Sequence, residues 1–159
     1  MIAKKLMLTL GLLACAASAA AAQTATQVVT FQVDAVNQIA FFGSPSIVVN
    51  TATAGSNPTG STAAASWAVT TNQTGAKITA SIGSNMPAGL TLSVNLAAPT
   101  GGTSAGSQAL STTAVDLVTS ITKLAQASLG VTYTLDATAA AGVVASTTRT
   151  VTYTITGGT

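Results

Sequence analysis

Three carboxylates are the only acidic side chains in this sequence, and they limit the chemistry open to it. They are Asp34, Asp116 and Asp136, and the chain has neither glutamate nor histidine. Without histidine, the usual general base and the Ser-His-Asp and Cys-His arrangements are excluded. A glycosidase would need two aspartates about 5 to 9.5 Å apart, but Asp34 and Asp136 are expected on the polar faces of strands. We therefore predict no catalytic residues and no enzyme.

The same composition predicts no metal or cofactor site. Histidine is absent, and no cluster of neighbouring aspartates supplies the several oxygen ligands that calcium requires. The tripeptide Asn72-Gln73-Thr74 matches an N-glycosylation acceptor. Such tripeptides arise by chance in threonine-rich chains, so the favoured interpretation is an asparagine in the turn of a predicted hairpin.

Residues 1–22 have the pattern of a secretory signal peptide. Lys4 and Lys5 precede an apolar run over residues 6–13, and small residues lead to an Ala-x-Ala site before Gln23. The apolar run is too short to span a membrane. An alternative is lipidation at Cys15, because residues 12–15 partly match a bacterial lipobox. Either way we expect an exported protein, secreted or on the cell surface, with one domain over residues 23–159.

Charge is scarce in this domain. Charged residues make up 5% of the chain, against about 25% in typical soluble proteins. Residues 23–159 carry three cations and three carboxylates, so their formal net charge is zero. Because the sequence has no basic patch, we predict that the protein does not bind nucleic acid. A neutral surface lacks the repulsion that keeps proteins apart, so self-association into a homo-oligomer or polymer is expected.

Strands must position whatever site the chain has, because alternation of apolar and polar residues is its dominant pattern. The predicted strands cover residues 26–34, 36–42, 46–50, 65–71, 77–84, 90–96, 116–122, 131–136 and 149–156. This spacing, with loops at residues 51–62 and 97–108, favours one antiparallel immunoglobulin-like β-sandwich of about eight strands. Trp67 is expected in its core.

Two parts of the sequence allow more than one structural or functional interpretation. Residues 109–128 fit both a strand and helical spacing, and a strand around 116–122 is favoured. The two last strands are expected to pair as a hairpin through an Ala/Gly-rich connection at residues 137–148. Their outward threonines would then form two adjacent ranks that resemble the rows of ice-binding proteins. The threonines concerned are Thr132, Thr134 and Thr138, and Thr150, Thr152, Thr154 and Thr156.

The low-charge, Thr/Ala-rich domain, its N-terminal segment 23–33 and its last strand resemble small exported bacterial β-sandwich proteins of surface layers and fibres, pilin-type subunits in particular. The resemblance implies a structural subunit that self-assembles outside the cell. Val29, Phe31 and Val33 are the proposed assembly residues, since an N-terminal strand could add to a neighbour's sheet edge and fill an acceptor groove. Few lysines are present to block such edges.

The alternative function is a monomeric binding or adhesion module that uses the loops at residues 51–62 and 97–108 to hold a carbohydrate or a surface. Carbohydrate sites usually present exposed aromatic rings. Nearly all aromatic residues here are predicted to face inward, and only the Phe41-Phe42 pair must place one ring outward. This pattern favours the structural subunit, with ice binding as a third option.

Overall fold

The computed structural model describes residues 22–159. The signal-peptide interpretation of residues 1–22 and the lipidation alternative at Cys15 therefore lie outside the described residues, apart from Ala22. The chain divides into two compact units, residues 1–32 and 33–159. In the described part of the first unit, residues 22–32, no residue belongs to a helix or a strand.

The second unit is all-β, with two antiparallel sheets, which confirms the predicted antiparallel β-sandwich. Its strands are β1 (Asn37–Phe42), β2 (Ser61–Thr71), β3 (Ala76–Ile82), β4 (Leu90–Leu96), β5 (Thr103–Ser104), β6 (Gln108–Ala109), β7 (Val115–Ile121), β8 (Leu124–Ala137) and β9 (Val151–Thr156). The first sheet has the order β1-β2-β8-β4-β6, and the second has the order β5-β7-β3-β9. No helix within residues 22–159 is long and apolar enough to cross a membrane.

The core lies between the sheets because each central strand presents every second side chain inward. Strand β3 shows this most clearly, with Ala76, Ile78, Ala80 and Ile82 all buried. Trp67 on β2 is fully buried, as predicted. The largest other fully buried side chains are Ile78, Leu96, Leu117, Ile121, Val69, Val94, Val118 and Val131.

The predicted C-terminal hairpin is wrong. Strand β8 pairs with β2 and β4 in the first sheet, whereas β9 pairs with β3 in the second. The threonines of β8 and β9 therefore lie on different sheets and do not form the two adjacent ranks expected of an ice-binding array. Alternation predicts which face of a strand is buried, but it does not select the neighbouring strand.

Two predicted strands are not formed, and one ambiguity is resolved. Residues 26–34 and 46–50 lie outside all strands, although Ile47 packs against the core. The ambiguous stretch contains β7 and the start of β8, so the strand interpretation is confirmed. Strand β8 begins seven residues before the predicted strand 131–136. Its register with β2 shifts between Leu129 and Gln126, and Ser128 has φ 59°, so a bulge interrupts the alternation that marks the strand in the sequence.

Candidate strand-acceptor site

One side of the sandwich has two unpaired strand edges. Strand β1 pairs only with β2, and β9 pairs only with β3, so each is the last strand of its sheet among the described residues. The two strands meet at this side, where the rings of Phe41 and Tyr153 stack with centroids 3.7 Å apart. We call this pair of strands the open edge. A terminal strand presents backbone N–H and C=O groups that can pair with another chain.

The inward side chains of the open edge are only partly covered. Ile39 and Phe41 on β1 and Val151, Tyr153 and Ile155 on β9 are half-buried, and all five pack against the core. The inward residues of the central strand β3 are 0 to 2% exposed. The difference arises because no further strand lies beside β1 or β9 to cover their inner faces.

The opposite side of the sandwich is closed. A single segment contributes β5 to the second sheet and β6 to the first, so it crosses from one sheet to the other. Ala105 N–H donates to the Leu117 carbonyl and Leu110 N–H to the Leu92 carbonyl, both at 2.8 Å. Leu110 is buried beneath this crossing. Edge strands as short as β5 and β6, two residues each, resist pairing with other chains.

Tyr153 joins the two sheets at the open edge. Its hydroxyl lies 2.7 Å from that of Tyr133 on β8, and its ring packs on Phe41, which in turn stacks on Trp67 with centroids 6.1 Å apart. Burial raises the pKa of Tyr153 well above its usual range, and the hydrogen bond to Tyr133 raises it further. The phenol therefore remains protonated in the folded protein where a free tyrosine ionises.

This shift predicts a loss of stability at alkaline pH. An unfolded tyrosine ionises near pH 10, while Tyr153 in the folded domain retains its proton. The contribution of this difference to the free energy of unfolding is therefore complete below about pH 10 and is lost as the pH rises above it. The free energy of unfolding should fall by up to about 1.4 kcal/mol per pH unit above pH 10 from this group. In Tyr153→Phe that part of the slope should disappear, as measured by urea unfolding at pH 8, 10 and 11. Equal slopes in the two proteins would contradict the assignment.

The N-terminal segment bears the predicted assembly residues and leaves them uncovered. Val29, Phe31 and Val33 are 71%, 89% and 81% exposed, and Val28, in the opposite phase, is 92% exposed. Phe31 was expected on an inward face, and within the single chain that expectation is wrong. Monomeric proteins rarely expose a run of large apolar side chains without an interaction to use it.

An asparagine clamp fixes the point at which this segment leaves the sandwich. Asn72 Nδ2 donates to the Asp34 carbonyl at 2.7 Å, and Asn72 Oδ1 accepts from Val36 N–H at 2.8 Å. Asn72 N–H also donates to the Val36 carbonyl at 3.2 Å. Asn72 lies between β2 and β3, as predicted, but these strands belong to different sheets, so the predicted hairpin turn is wrong. The role of Asn72 at residues 34–36 was missed. The only signal in the sequence was an asparagine immediately after a strand, which indicates a turn and names no partner.

The three carboxylates do not form one cluster among residues 22–159. Asp116 lies exposed on β7 of the second sheet and pairs with Lys77 at 3.0 Å. Asp136 is exposed on β8 of the first sheet, and the Asp34 backbone is held at the clamp. Within residues 22–159, no three His, Cys, Asp or Glu side chains come together as a metal site. What the open edge offers chemically is backbone pairing and apolar contact.

Comparison of the chain with protein-family models, with curated proteins and with solved structures found no significant match. The functional argument therefore depends on the geometry of the open edge and the N-terminal segment.

Proposed function

We propose that the protein is an exported structural subunit that polymerises into a surface fibre by donating residues 23–33 to the open edge of a neighbouring copy. The observation that carries the proposal is the coexistence in one chain of an uncovered alternating apolar segment and an unpaired strand edge whose inward apolar residues have the same two-residue spacing. The segment supplies an additional strand with apolar side chains, and the edge supplies backbone groups and apolar side chains for that strand to contact. The closed opposite side offers no comparable acceptor.

Strand β9 is the better acceptor of the two strands. It has three inward apolar residues at two-residue spacing, Val151, Tyr153 and Ile155. Val29, Phe31 and Val33 have the same spacing. On β1, by contrast, the first inward position is Asn37, whose amide is already bonded to Gln73 and Thr71. A strand added to β9 therefore matches three apolar residues with three.

An antiparallel arrangement follows from the stability of antiparallel pairs. With Phe31 opposite Tyr153, Val29 lies opposite Ile155 and Val33 opposite Val151. The aromatic pair then joins the existing stack of Tyr153 on Phe41. Burying the three donor side chains is worth roughly 5 to 8 kcal/mol before ordering costs, which is enough to hold subunits together.

The order of the strands supports the same acceptor. Immunoglobulin-like constant domains have strands A, B, E and D in one sheet and C, F and G in the other. Strands β1, β2, β8 and β4 stand in the same order as A-B-E-D, and the adjacent β3 and β9 stand in the same order as C and F, whereas β7 beside β3 has no counterpart in that scheme. No described strand stands in position G beside β9. A neighbour's donated segment would complete the immunoglobulin-like arrangement.

Charge also favours assembly. Residues Val151–Thr156 include no charged side chain, although lysines on edge strands are a common protection against pairing. Since residues 23–159 have zero formal net charge, long-range repulsion between subunits is small at any salt concentration.

Engineered disulfides test this function and its register together. Residues 23–159 have no cysteine, and Thr30 lies opposite Thr154 in the antiparallel register. Filaments in negative-stain electron microscopy are expected, and in Thr30→Cys/Thr154→Cys they should yield a covalent ladder on non-reducing gels. Thr30→Cys/Thr132→Cys is the matched control, because Thr132 is equally exposed but lies on the central strand β8.

The possible outcomes separate the claims. A monomer at high concentration in size-exclusion chromatography, without filaments, would overturn the subunit and favour the binding module. Filaments that cross-link through Thr30→Cys/Thr152→Cys instead would overturn the proposed register while keeping β9 as the acceptor. Filaments with no cross-link to either position on β9 would exclude β9 as the acceptor.

A further inference from the structure

Residues 46–50 have the side-chain pattern of a strand but belong to neither sheet. Ile47 and Val49 are half-buried, and Ile47 packs against the core, whereas Val48 between them is 65% exposed. Such alternation is typical of a strand with one face on a core. Among the described residues, however, the backbone N–H and C=O groups of residues 46–50 have no hydrogen-bond partner. They are therefore free to pair with another strand.

Residues 46–50 lie on the same side of the sandwich as the open edge. They follow β1, which stops pairing with β2 at Ser66. Gly43 lies against Ala65, and from there back to its start at Ser61 strand β2 pairs with β8 alone. Because residues 46–50 continue the chain from Gly43 and contact the core, they occupy the part of this side that β1 does not reach.

A strand donated to β9 would need a second partner. The backbone groups of a strand point alternately to its two lateral sides, and β9 can pair with only one of them. The other side of the donated strand would remain unpaired, and residues 46–50 have unpaired backbone groups on the same side of the sandwich. Neither residues 23–33 nor residues 46–50 include a charged side chain, so no charge opposes their pairing.

We infer that residues 46–50 are a second pairing site for the N-terminal segment of a neighbouring copy, and that they become a strand when that segment binds. This inference rests on the proposed function and deepens it, because it adds a second acceptor to β9. The donated segment is then hydrogen-bonded on both lateral sides, like the central strand of a sheet. It presents no new edge to which further chains could add sideways.

Amide hydrogen exchange, measured residue by residue, tests this pairing. In filaments of residues 23–159, alternate amides of residues 46–50 should exchange at least about tenfold more slowly than in Phe31→Asp, whose charge should keep it soluble. The amides of Val143 and Val144, in the exposed connection between β8 and β9, should show no such change. Filaments in which every amide of residues 46–50 exchanges as fast as in Phe31→Asp would overturn the second site and leave strand donation intact.

Two adjacent valines allow a matched substitution, because the N–H groups of Val48 and Val49 point to opposite lateral sides. The valine whose amide is protected in filaments is replaced by proline, which removes the N–H group, and separately by threonine, which keeps it. Proline should raise the protein concentration needed for filaments by about tenfold, and threonine should leave it nearly unchanged.

Urea unfolding of both variants in the soluble Phe31→Asp background controls for loss of the fold. Equal filament formation by the proline and threonine variants would overturn the inference, whereas no filaments in the unsubstituted protein would overturn the function itself.

Discussion

Removing residues 23–33 is expected to abolish polymerisation and to leave a folded monomer. The deleted residues belong to no strand, and Val29, Phe31 and Val33 are exposed, so the sandwich loses no core contact. The asparagine clamp is retained because it holds Asp34 and Val36. Size-exclusion chromatography and negative-stain microscopy of residues 34–159 beside residues 23–159 measure the effect. Filaments from the shortened chain would exclude donation by this segment.

A point substitution tests whether assembly requires the apolar face of the N-terminal segment and not only the length of that segment. Phe31→Asp removes the largest side chain proposed to be buried and places a carboxylate against Tyr153. The lost burial and the cost of desolvating the charge should weaken association by about 3 kcal/mol or more, which is over a hundredfold. Val28→Asp is the matched control, since its side chain has the opposite phase and should face solvent in the polymer. Equal loss in the two variants would show that charge alone blocks assembly.

Trp67→Ala is expected to give the largest change in stability. Trp67 is fully buried on β2, and its ring packs behind Phe41 at the open edge. Truncating such a side chain leaves a cavity that costs about 3 to 5 kcal/mol, a large part of the roughly 5 to 15 kcal/mol that folds a domain. Urea unfolding followed by circular dichroism measures the loss, because Trp67 is the only tryptophan and fluorescence disappears with it.

Trp67→Phe should lower the stability less than Trp67→Ala does. The buried Trp67 Nε1 has no hydrogen-bond acceptor among the described residues. Since an unpaired buried donor costs about 1 to 3 kcal/mol, its removal offsets part of the lost volume. Phe42→Ala is the surface control: Phe42 is 53% exposed, and the substitution should cost about 1 kcal/mol. A loss in Trp67→Ala no greater than that would contradict the central role of Trp67.

The sequence was sufficient for the local structure of the strands. Alternation located β1, β3, β4, β7 and β9 to within two residues and placed Trp67 in the core, because a pleated strand sends alternate side chains to opposite faces. It also marked Val29, Phe31 and Val33 as one apolar face. It failed at residues 26–34, which alternate but belong to no strand, and at residues 46–50, where three apolar residues in a row suggested a strand that is not formed.

Pairing was decided only by the tertiary structure. Strands β8 and β9 are consecutive and both alternate, yet they lie in different sheets, because neighbours are chosen by how both sheets bury their inner faces together and not by either strand's own pattern. The same global packing leaves β1 and β9 uncovered at one side of the sandwich and closes the opposite side with β5 and β6. It also brings Asn72 to Asp34 and Val36. Alternation in the sequence therefore determined which residues of the N-terminal segment share an apolar face, and the assembled sandwich determined where its unpaired strand edges lie.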